Sequence, residues 1–494
     1  MTSKVAVLGA GFAGLSAACH LAAKGHEVTL VDRHDHAGGR ARTWTQDGYR
    51  FDMGPSWYWM PDVFENFFRC FGHEVPDLYT LKRLDPSYRV VWPEGDAWDV
   101  PAGIPALRAF FETHQAGGGD ALDAFLRTTG EIYEAAMGDY LFRPSVSLWE
   151  YADPRLAGAV VRLRMLESMQ RMADRAFSNP RLARLVAWPV LFLGAPAERT
   201  SAMYSLMSYA DMALGTWYPQ GGMHRVIEAM VKVAASLGVR FCLGETVTAI
   251  DLTAGRATGL RTATGHHRAD AVVAAADYHH VEQHLLPPQA RQFSASWWDR
   301  RTMSPSSLLF YLGLETELDL PHHTLFFDRD LDRHMSEVYD RPQWPEEPLF
   351  YVCVPSATDR TVAPPGCSNV FILVPLAAGL HDDEQARERV YTKVMGRLET
   401  HLGRRLTEHV VVKRSYAMQD FIADHSAYKG NAYGMANTLR QTGPLKPPLR
   451  SKKVPGLYFA GQLTVPGPGM PPSLVSGELA ARVLHNDLMA ARGQ

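Results

Sequence analysis

The sequence has few of the features that mark secreted, membrane-spanning or nucleic-acid-binding proteins. Its 494 residues include five scattered cysteines and no CxxC pair, so neither a disulfide framework nor a zinc site is expected, and a reducing compartment is favoured. No apolar run reaches about 18 residues, so a spanning helix is not expected and membrane contact would be peripheral. The formal net charge of -3 gives no indication of nucleic-acid binding.

The sequence is rich in apolar residues, and their pattern predicts an α/β fold. Hydrophobic residues make up 46% of the chain, enough for a large core in two or three domains. Two short β-branched runs, Lys4–Leu8 and Glu27–Asp32, flank a helical pattern over 13–24, which predicts a βαβ unit. Further strands are predicted at 238–245, 247–251, 271–275, 306–314, 370–374 and 456–460, and a last helix at 473–488.

The order of these elements predicts domains assembled from separated segments. A Rossmann-type dinucleotide-binding domain would comprise 1–75, 220–290 and 445–494. An inserted α+β substrate-binding domain would comprise 76–150 and 291–444. A helical, membrane-associating region would cover 151–219.

The N-terminal unit carries a glycine pattern typical of dinucleotide sites. In VLGAGFAGL, Gly9 permits a tight turn, Gly11 lets a pyrophosphate approach the backbone, and Gly14 lets helix and strand pack closely. Asp32 ends the second strand, where a carboxylate can bind ribose hydroxyls. The candidate contacts in this unit are Gly9, Gly11, Phe12, Ala13, Gly14 and Asp32.

Two later segments favour FAD over NAD. Gly39 and Arg40 belong to a second glycine turn, where a guanidinium can neutralise a pyrophosphate, and NAD enzymes need no such second clamp. Pro55 and Ser56 belong to a turn that could lie against the flavin ring, although a purely structural turn explains them equally well.

The C-terminal loop is a second candidate anchor for the cofactor. Gly461 follows a predicted strand, and a glycine-rich loop leads from it into the last helix. The start of a helix can direct positive charge at the edge of a flavin that becomes negative on reduction. Two prolines without N–H groups follow Met470, so its backbone N–H would be the donor nearest the flavin. Ordinary helix capping is the alternative explanation.

Together these motifs resemble the bacterial-type phytoene desaturase family, within the broader fold of amine oxidases and protoporphyrinogen oxidase. The resemblance covers nearly the whole chain, and its more specific segments are 215–230, 320–327, 354–367, 427–434 and 461–477. It implies tightly bound FAD without NAD, and adenine held by the backbone of Val247. The cofactor contacts it implies are Ala13, Asp32, Arg33, Arg40, Ser56, Val247, Gly461 and Met470.

The sequence departs from the family at two positions. Where the family often has VSNAD, this chain has three alanines before Asp277, so the usual asparagine is missing and a role for a polar side chain there is in doubt. The second-strand acid is Asp32 rather than the commoner glutamate, which shortens its reach to the ribose.

The resemblance implies FAD-dependent desaturation of a carotenoid precursor such as phytoene. A hydride would pass from the polyene to flavin N5 and a proton would leave to a base or to water, without an obligatory side-chain base. The expected location is the cytoplasmic side of a membrane, with quinone or oxygen as electron acceptor. The alternatives are a later hydroxylated or monocyclic carotene as substrate, another flavoenzyme of this fold, or a non-enzymatic prenyl-protein chaperone.

Three further features concern catalysis, metal binding and membrane contact. Asp139 and Arg143 are candidate catalytic residues, although a solvated helix end explains them equally well. His322 and His323 are expected to face opposite sides of a strand, so that no shared metal site forms. The segment 155–199 has eight arginines against three acids among apolar residues, which suits an anionic membrane surface or a solvated helix pair.

Overall fold

The structure is a computed structural model of the chain. It describes residues 2–145, 150, 158, 162, 164–165, 167–193, 196–438 and 440–492. These residues form nineteen β-strands and fourteen α-helices, joined by loops and by short 3₁₀ and π turns.

The strands are β1 Lys4–Leu8, β2 Glu27–Asp32, β3 Thr43–Gln46, β4 Tyr49–Asp52, β5 Leu81–Arg83, β6 Tyr88–Val91, β7 Ala97–Val100, β8 Trp217–Pro219, β9 Arg240–Leu243, β10 Val247–Thr253, β11 Arg256–Thr262, β12 His266–Arg268, β13 Ala271–Ala274, β14 Ser306–Leu314, β15 His323–Phe326, β16 Phe350–Cys353, β17 Ser368–Leu376, β18 Val410–Tyr416 and β19 Leu457–Phe459. The α-helices are α1 Phe12–Ala23, α2 Pro61–Arg69, α3 Ile104–His114, α4 Gly118–Ala135, α5 Met169–Ala176, α6 Pro180–Ala187, α7 Leu206–Tyr209, α8 His224–Ser236, α9 Tyr278–His280, α10 Ala295–Asp299, α11 Leu331–Tyr339, α12 Glu384–Leu402, α13 Met418–His425 and α14 Met470–Arg492.

A five-stranded parallel sheet unites distant parts of the chain. Its strand order is β19-β13-β1-β2-β9. Along β1, Val5 and Val7 pack into one apolar cluster while Ala6 and Leu8 pack into another. Because both faces of the sheet are covered, a strand at its centre has to be apolar at every position. The predicted bounds of β1 and β2 are confirmed, and β19 is shorter than the predicted 456–460.

The first and last helices pack against each other on one face of this sheet. A Cβ on Gly477 of α14 would lie 2.2 Å from the carbonyl oxygen of Ala13 in α1, so only glycine permits this approach. The Ser16 hydroxyl donates a hydrogen bond of 2.7 Å to the Leu474 carbonyl across the same interface. The two ends of the chain therefore form one packed unit.

A second, seven-stranded sheet has the order β18-β14-β17-β16-β15-β6-β7. It is antiparallel except where β15 runs parallel to β6. Strand β14 has the predicted bounds, and β17 extends beyond the predicted 370–374 at both ends. Residues 88–100 and 306–416 thus share a sheet, while the exact domain division stays a prediction.

Helices α3 to α7 lie between β7 and β8 in the sequence, and α5 to α7 fall within 151–219, where the sequence predicts a helical region. Residues 151–157, 159–161, 163, 166 and 194–195 of the proposed membrane-associating region lie outside the described residues. Among the helices that the structure describes, none combines the length and apolar character needed to cross a bilayer.

Asp211 is a buried carboxyl in this helical part. Its oxygens accept hydrogen bonds from the hydroxyls of Tyr88 at 2.8 Å and Thr216 at 3.2 Å. Burial raises the pKa of Asp211 from 3.8 to about 7, and the two hydroxyls only partly oppose that rise. The carboxyl therefore binds its proton more tightly in the folded than in the unfolded chain.

Stability is expected to fall as pH rises through this range, and Asp211→Asn is expected to remove that loss. The stabilising effect of the protonated form is complete below pH 4 and is lost as pH rises through about 7. At about 1.4 kcal/mol per pKa unit, the whole loss amounts to about 4 kcal/mol, and the part that falls above pH 5 to about 3 kcal/mol. Thermal unfolding at pH 5 and pH 8 measures it: the variant should lose less stability than the wild type between these values, and equal losses would contradict the prediction.

Candidate cofactor and substrate site

A cavity of about 290 Å³ opens at the carboxyl ends of the parallel strands. Three parts of the chain enclose it: the first βαβ unit, the turn around Arg40, and the C-terminal loop with the start of α14. Ligands of open α/β sheets bind at this edge, because the strand ends and helix N-termini converge there.

The glycines of the first turn leave room for a ligand on one side. Gly9 has φ +101° and its N–H donates to the Val31 carbonyl at 2.8 Å, which sets the tight turn. A Cβ on Gly14 would lie 1.8 Å from the Gly9 carbonyl oxygen, so this glycine is required for packing. A Cβ on Gly11 would lie in ordinary contact with the Gly39 Cα at 3.8 Å, so the two glycine turns lie close together, and both glycines line the cavity.

Asp32 is fixed by backbone donors at the rim of this space. It ends β2, and its carboxylate accepts hydrogen bonds from the N–H groups of Ala10 at 2.7 Å and His34 at 2.9 Å. Each carboxylate oxygen has a second lone pair that can accept from a ribose hydroxyl. This geometry fits the adenosine half of a dinucleotide.

Arg40 is a buried cation whose guanidinium has an unused donor. Its Nε has no hydrogen-bond partner among the described residues, and burial lowers its pKa while Asp277 acts in the opposite direction. By contrast, Arg42 is paired with Asp424 at 2.6 Å. A buried guanidinium that lines a cavity with a free donor fits a pyrophosphate, so the residues present fit FAD.

The C-terminal loop reaches the same cavity. Gly461 has φ +110° and its N–H donates to the Ser476 hydroxyl at 2.9 Å. Helix α14 begins at Met470, and Ser473 donates to the Gly469 carbonyl at 3.0 Å. Since the two intervening prolines lack N–H groups, the Met470 N–H is the donor left at the start of the helix.

The structure brings most of the predicted cofactor residues to one cavity. Those that line it are Gly9, Gly11, Phe12, Ala13, Asp32, Arg33, Gly39, Arg40, Pro55, Val247, Gly461 and Met470. Gly14 lies behind the turn, and Ser56 instead accepts a hydrogen bond from Tyr351 at 3.1 Å and faces a smaller cavity. A cofactor role for Ser56 therefore has no support in this geometry.

Sequence reasoning missed several residues of the cavity wall. His425 of α13 is half-buried there, and desolvation together with Arg40 holds its pKa well below the ordinary value. Leu309, Leu373 and Tyr433 also line the cavity, beside Pro55. The apolar runs gave no local signal for this role, because burial in a sheet and exposure to a ligand require the same residue types.

The candidate catalytic pair has no demonstrated place in the site. The side chain of Asp139 lies outside the described part of the structure. The Arg143 guanidinium donates to the Glu150 carbonyl, and Arg143 lines neither this cavity nor the apolar one described below. Their catalytic role stays a prediction.

The expected arrangement of the histidine pair was wrong. His322 precedes strand β15 instead of belonging to it, so strict alternation does not apply, and its ring centroid lies 4.5 Å from that of His323. One nitrogen of each ring and Sγ of Cys353 lie within 4.8 Å of one another. Burial lowers the pKa of His322 to about 3, so its ring is neutral.

A second, almost wholly apolar cavity of about 60 Å³ adjoins the first. It shares Leu373 and Tyr433 with the large cavity and extends between β15, β16 and α11. The other residues that line it are Trp188, Leu191, Pro305, Leu325, Phe327, Leu331, Met335, Tyr339, Leu349, Phe350, Tyr351 and Pro375. The two cavities together suit a long apolar molecule. Its end would lie in the small cavity, and the adjoining part of the chain would lie in the large cavity, which Pro55 also lines.

Comparisons with known proteins agree with this geometry. The family described as flavin containing amine oxidoreductase matches residues 12–485. The chain is 41% identical over 489 residues to a carotenoid 3,4-desaturase of Haloarcula japonica, covering 98% of each chain, and 29% identical to a zeta-carotene-forming phytoene desaturase of Myxococcus xanthus, covering 97% and 93%. Among solved structures, an oxidoreductase from Methanosarcina mazei is similar in fold, with a TM-score of 0.62 at 16% identity over 98% of this chain and 100% of that one.

Proposed function

The chain belongs to the flavin-containing amine oxidoreductase family and is an FAD-dependent oxidoreductase acting on carotenoid CH–CH bonds, and from this premise we propose that it desaturates a bond close to the end of a carotene. The observation that carries the proposal is the small apolar cavity joined to the cofactor cavity at Leu373 and Tyr433. This cavity is much smaller than the cofactor cavity and almost wholly apolar, which suits the end of a chain beyond the flavin.

The name of the relative from Haloarcula japonica favours the same position, since it is a 3,4-desaturase. A bond at this position supports a later carotene as substrate. The sequence alone had favoured phytoene. Bonds near the middle of phytoene would require a longer cavity beyond the flavin.

The residues around the cavity suit a reaction without a side-chain base. When bound, FAD supplies the hydride acceptor, N5. Among the described residues that line the apolar cavity, none is a carboxylate, a histidine or a basic residue. Burial raises the pKa of Tyr433 to about 12, so its phenol stays protonated. The walls of the apolar cavity therefore align the chain and exclude water, and none of them supplies a base.

The cofactor residues would act through position and charge. Asp32 would bind the ribose, Arg40 the pyrophosphate, and the N–H of Met470 at the start of α14 the flavin edge that gains negative charge. The glycines at 11 and 39 line the cavity and would let the phosphates approach the backbone of both turns. The facing turns and the buried guanidinium support a flavin site and argue against a chaperone that binds isoprenoids without flavin.

Expression in two carotenoid-producing bacterial hosts tests the proposed substrate. One host would accumulate phytoene and the other an acyclic carotene that is already conjugated. We expect new double bonds in the second host, seen as a red shift of the pigment and a mass loss of two hydrogens per bond. Conversion of phytoene with no change of the conjugated carotene would overturn the proposal and restore phytoene as substrate.

We further propose that the enzyme binds the cytoplasmic surface of a membrane and passes its electrons to quinone or oxygen. The apolar substrate and the arginines between 155 and 199 support this. Several of these arginines are paired with acids, however: Arg162 with Glu131, Arg175 with Glu167, Arg181 with Asp96 and Arg199 with Asp340. The charge available to a membrane is therefore smaller than the sequence suggests.

Replacing Arg164, Arg171 and Arg184 together by glutamine is expected to weaken binding to anionic vesicles. These arginines have no ion pair in the described part of the chain, and each contributes about 1 kcal/mol near an anionic surface, so the combined loss is about 100-fold. Vesicle sedimentation measures it.

A matched triple variant separates local from total charge in this experiment. Arg240, Arg268 and Arg300 are exposed elsewhere on the molecule, and their replacement by glutamine removes the same charge. Binding should be retained in this control. Equal loss in both triple variants, or unchanged binding in the first, would end the membrane assignment for this region.

A further inference from the structure

The cluster of His322, His323 and Cys353 lies outside the cofactor and substrate cavities. His323 and Cys353 are directly opposite each other where β15 pairs with β16, and His322 immediately precedes β15. All three side chains are buried. The proposed desaturation uses none of them, and the sequence did not predict that they converge.

The three side chains offer a donor set that suits a zinc ion. One nitrogen of each ring and the sulfur lie within 4.8 Å of one another. Two imidazoles and a thiolate are ligands that Zn²⁺ prefers, with Zn–N distances of about 2.0 Å and Zn–S distances of about 2.3 Å.

Hydroxyl groups orient both rings for such a role. His322 Nδ1 lies 2.8 Å from the Thr358 hydroxyl, and His323 Nδ1 lies 2.6 Å from the Tyr351 hydroxyl. Since Tyr351 donates its own proton to Ser56, it accepts one from His323, which leaves the lone pair on Nε2. Nε2 of both rings is buried without a hydrogen-bond partner in the described structure. Histidines that bind metals are commonly held by their other nitrogen in this way.

A small cavity with several polar groups in its wall adjoins the cluster. Its volume is about 20 Å³, enough for one water molecule, and His322, Cys353, Asp52 and Tyr218 line it. The Tyr218 hydroxyl is also buried and unpartnered among the described residues. A water molecule in this cavity could complete the coordination of a metal ion and pair with that hydroxyl. The Asp52 carboxylate supplies nearby negative charge.

We propose that His322, His323 and Cys353 form a buried structural zinc site, with a water molecule as fourth ligand. The ion would join the start of β15 to the end of β16. Trp57 is stacked on His323 with ring centroids 3.9 Å apart, so the ion would also fix the turn that carries Pro55 to the cofactor cavity.

Metal analysis of the wild-type protein tests the site directly. The protein would be purified from zinc-supplemented cultures, desalted and analysed by inductively coupled plasma mass spectrometry. We expect about one zinc ion per chain. Protein prepared with cobalt should show the near-ultraviolet thiolate-to-cobalt band and visible bands of tetrahedral coordination. Less than about 0.1 metal ion per chain without these bands would overturn the proposal, and would leave a water molecule as the occupant of the small cavity.

Matched variants assign the ion to these side chains. His322→Gln and Cys353→Ser should each lower the zinc content at least about tenfold. His334 is also buried, but both of its nitrogens are hydrogen-bonded, to the Pro375 carbonyl and the Leu349 N–H, so His334→Gln should keep the zinc. Cys19→Ser removes a buried thiol elsewhere and should keep it too. Zinc retained at the wild-type level in both cluster variants would refute the site. If the variants do not fold, the zinc content of the wild-type protein decides whether the site exists.

Discussion

Replacing Gly11 by valine is expected to give a folded protein that no longer retains FAD. The backbone of Gly11 is extended, with φ -82° and ψ -175°, which any residue can adopt. A Cβ there would lie in ordinary contact with the Gly39 Cα at 3.8 Å, and Gly11 lines the cofactor cavity, so the larger valine side chain would take up space at the cavity wall. The pyrophosphate needs that space, and we expect the affinity for FAD to fall at least about 100-fold.

Two further glycine variants make this result specific. Gly14→Val places a side chain against the Gly9 carbonyl, where even a Cβ would be 1.8 Å away, and should prevent folding. Gly265→Val adds the same group to a turn with open space and should keep both fold and flavin. The measurements are flavin absorbance per protein, FAD titration of the apoprotein and circular dichroism. Full flavin content in Gly11→Val would show that the pyrophosphate does not lie against the backbone at Gly11.

Filling the apolar cavity is expected to abolish desaturation without loss of FAD. Met335 of α11 lines this cavity and is not among the residues of the cofactor cavity. Tryptophan exceeds methionine in volume by an amount comparable to the cavity. Met335→Trp should therefore exclude the polyene end and lower the rate of conversion at least about 100-fold, while flavin absorbance per protein stays unchanged.

The control for this variant is Met335→Leu, which nearly conserves volume and should keep most of the activity. Carotene conversion in detergent or liposomes, with flavin content measured on the same samples, distinguishes the two. If Met335→Trp converts the carotene at the wild-type rate, the polyene end does not enter this cavity, and the argument for a bond near the chain end fails.

Local sequence patterns predicted several strands and the first glycine turn well. The bounds of β1, β2 and β14 are confirmed, because short, mainly apolar runs between turns have few alternative structures. Gly9 and Gly14 have the backbone conformation and close contact that their spacing indicates. A short-range motif includes most of the forces that determine its geometry, so the sequence is sufficient there.

Predictions that depended on contacts between distant residues were less successful. His322 and His323 converge because the strand begins at His323, a boundary set by pairing with β16. Ser56 turns away from the cofactor cavity toward Tyr351, almost 300 residues later in the chain. Neither contact has a signal in the neighbouring sequence, because both depend on the register of the second sheet.

The sequence by itself determined that this chain forms a dinucleotide site, since the turn, the helix start and the strand-end acid lie within the first 32 residues and need only short-range geometry. Only the tertiary structure decided which apolar residues face the cofactor. Leu373 and Tyr433 join the two cavities because β17 and a distant loop meet beside Pro55. An apolar side chain has the same character in a packed core and in a substrate cavity, and what distinguishes the two is the space left in front of it.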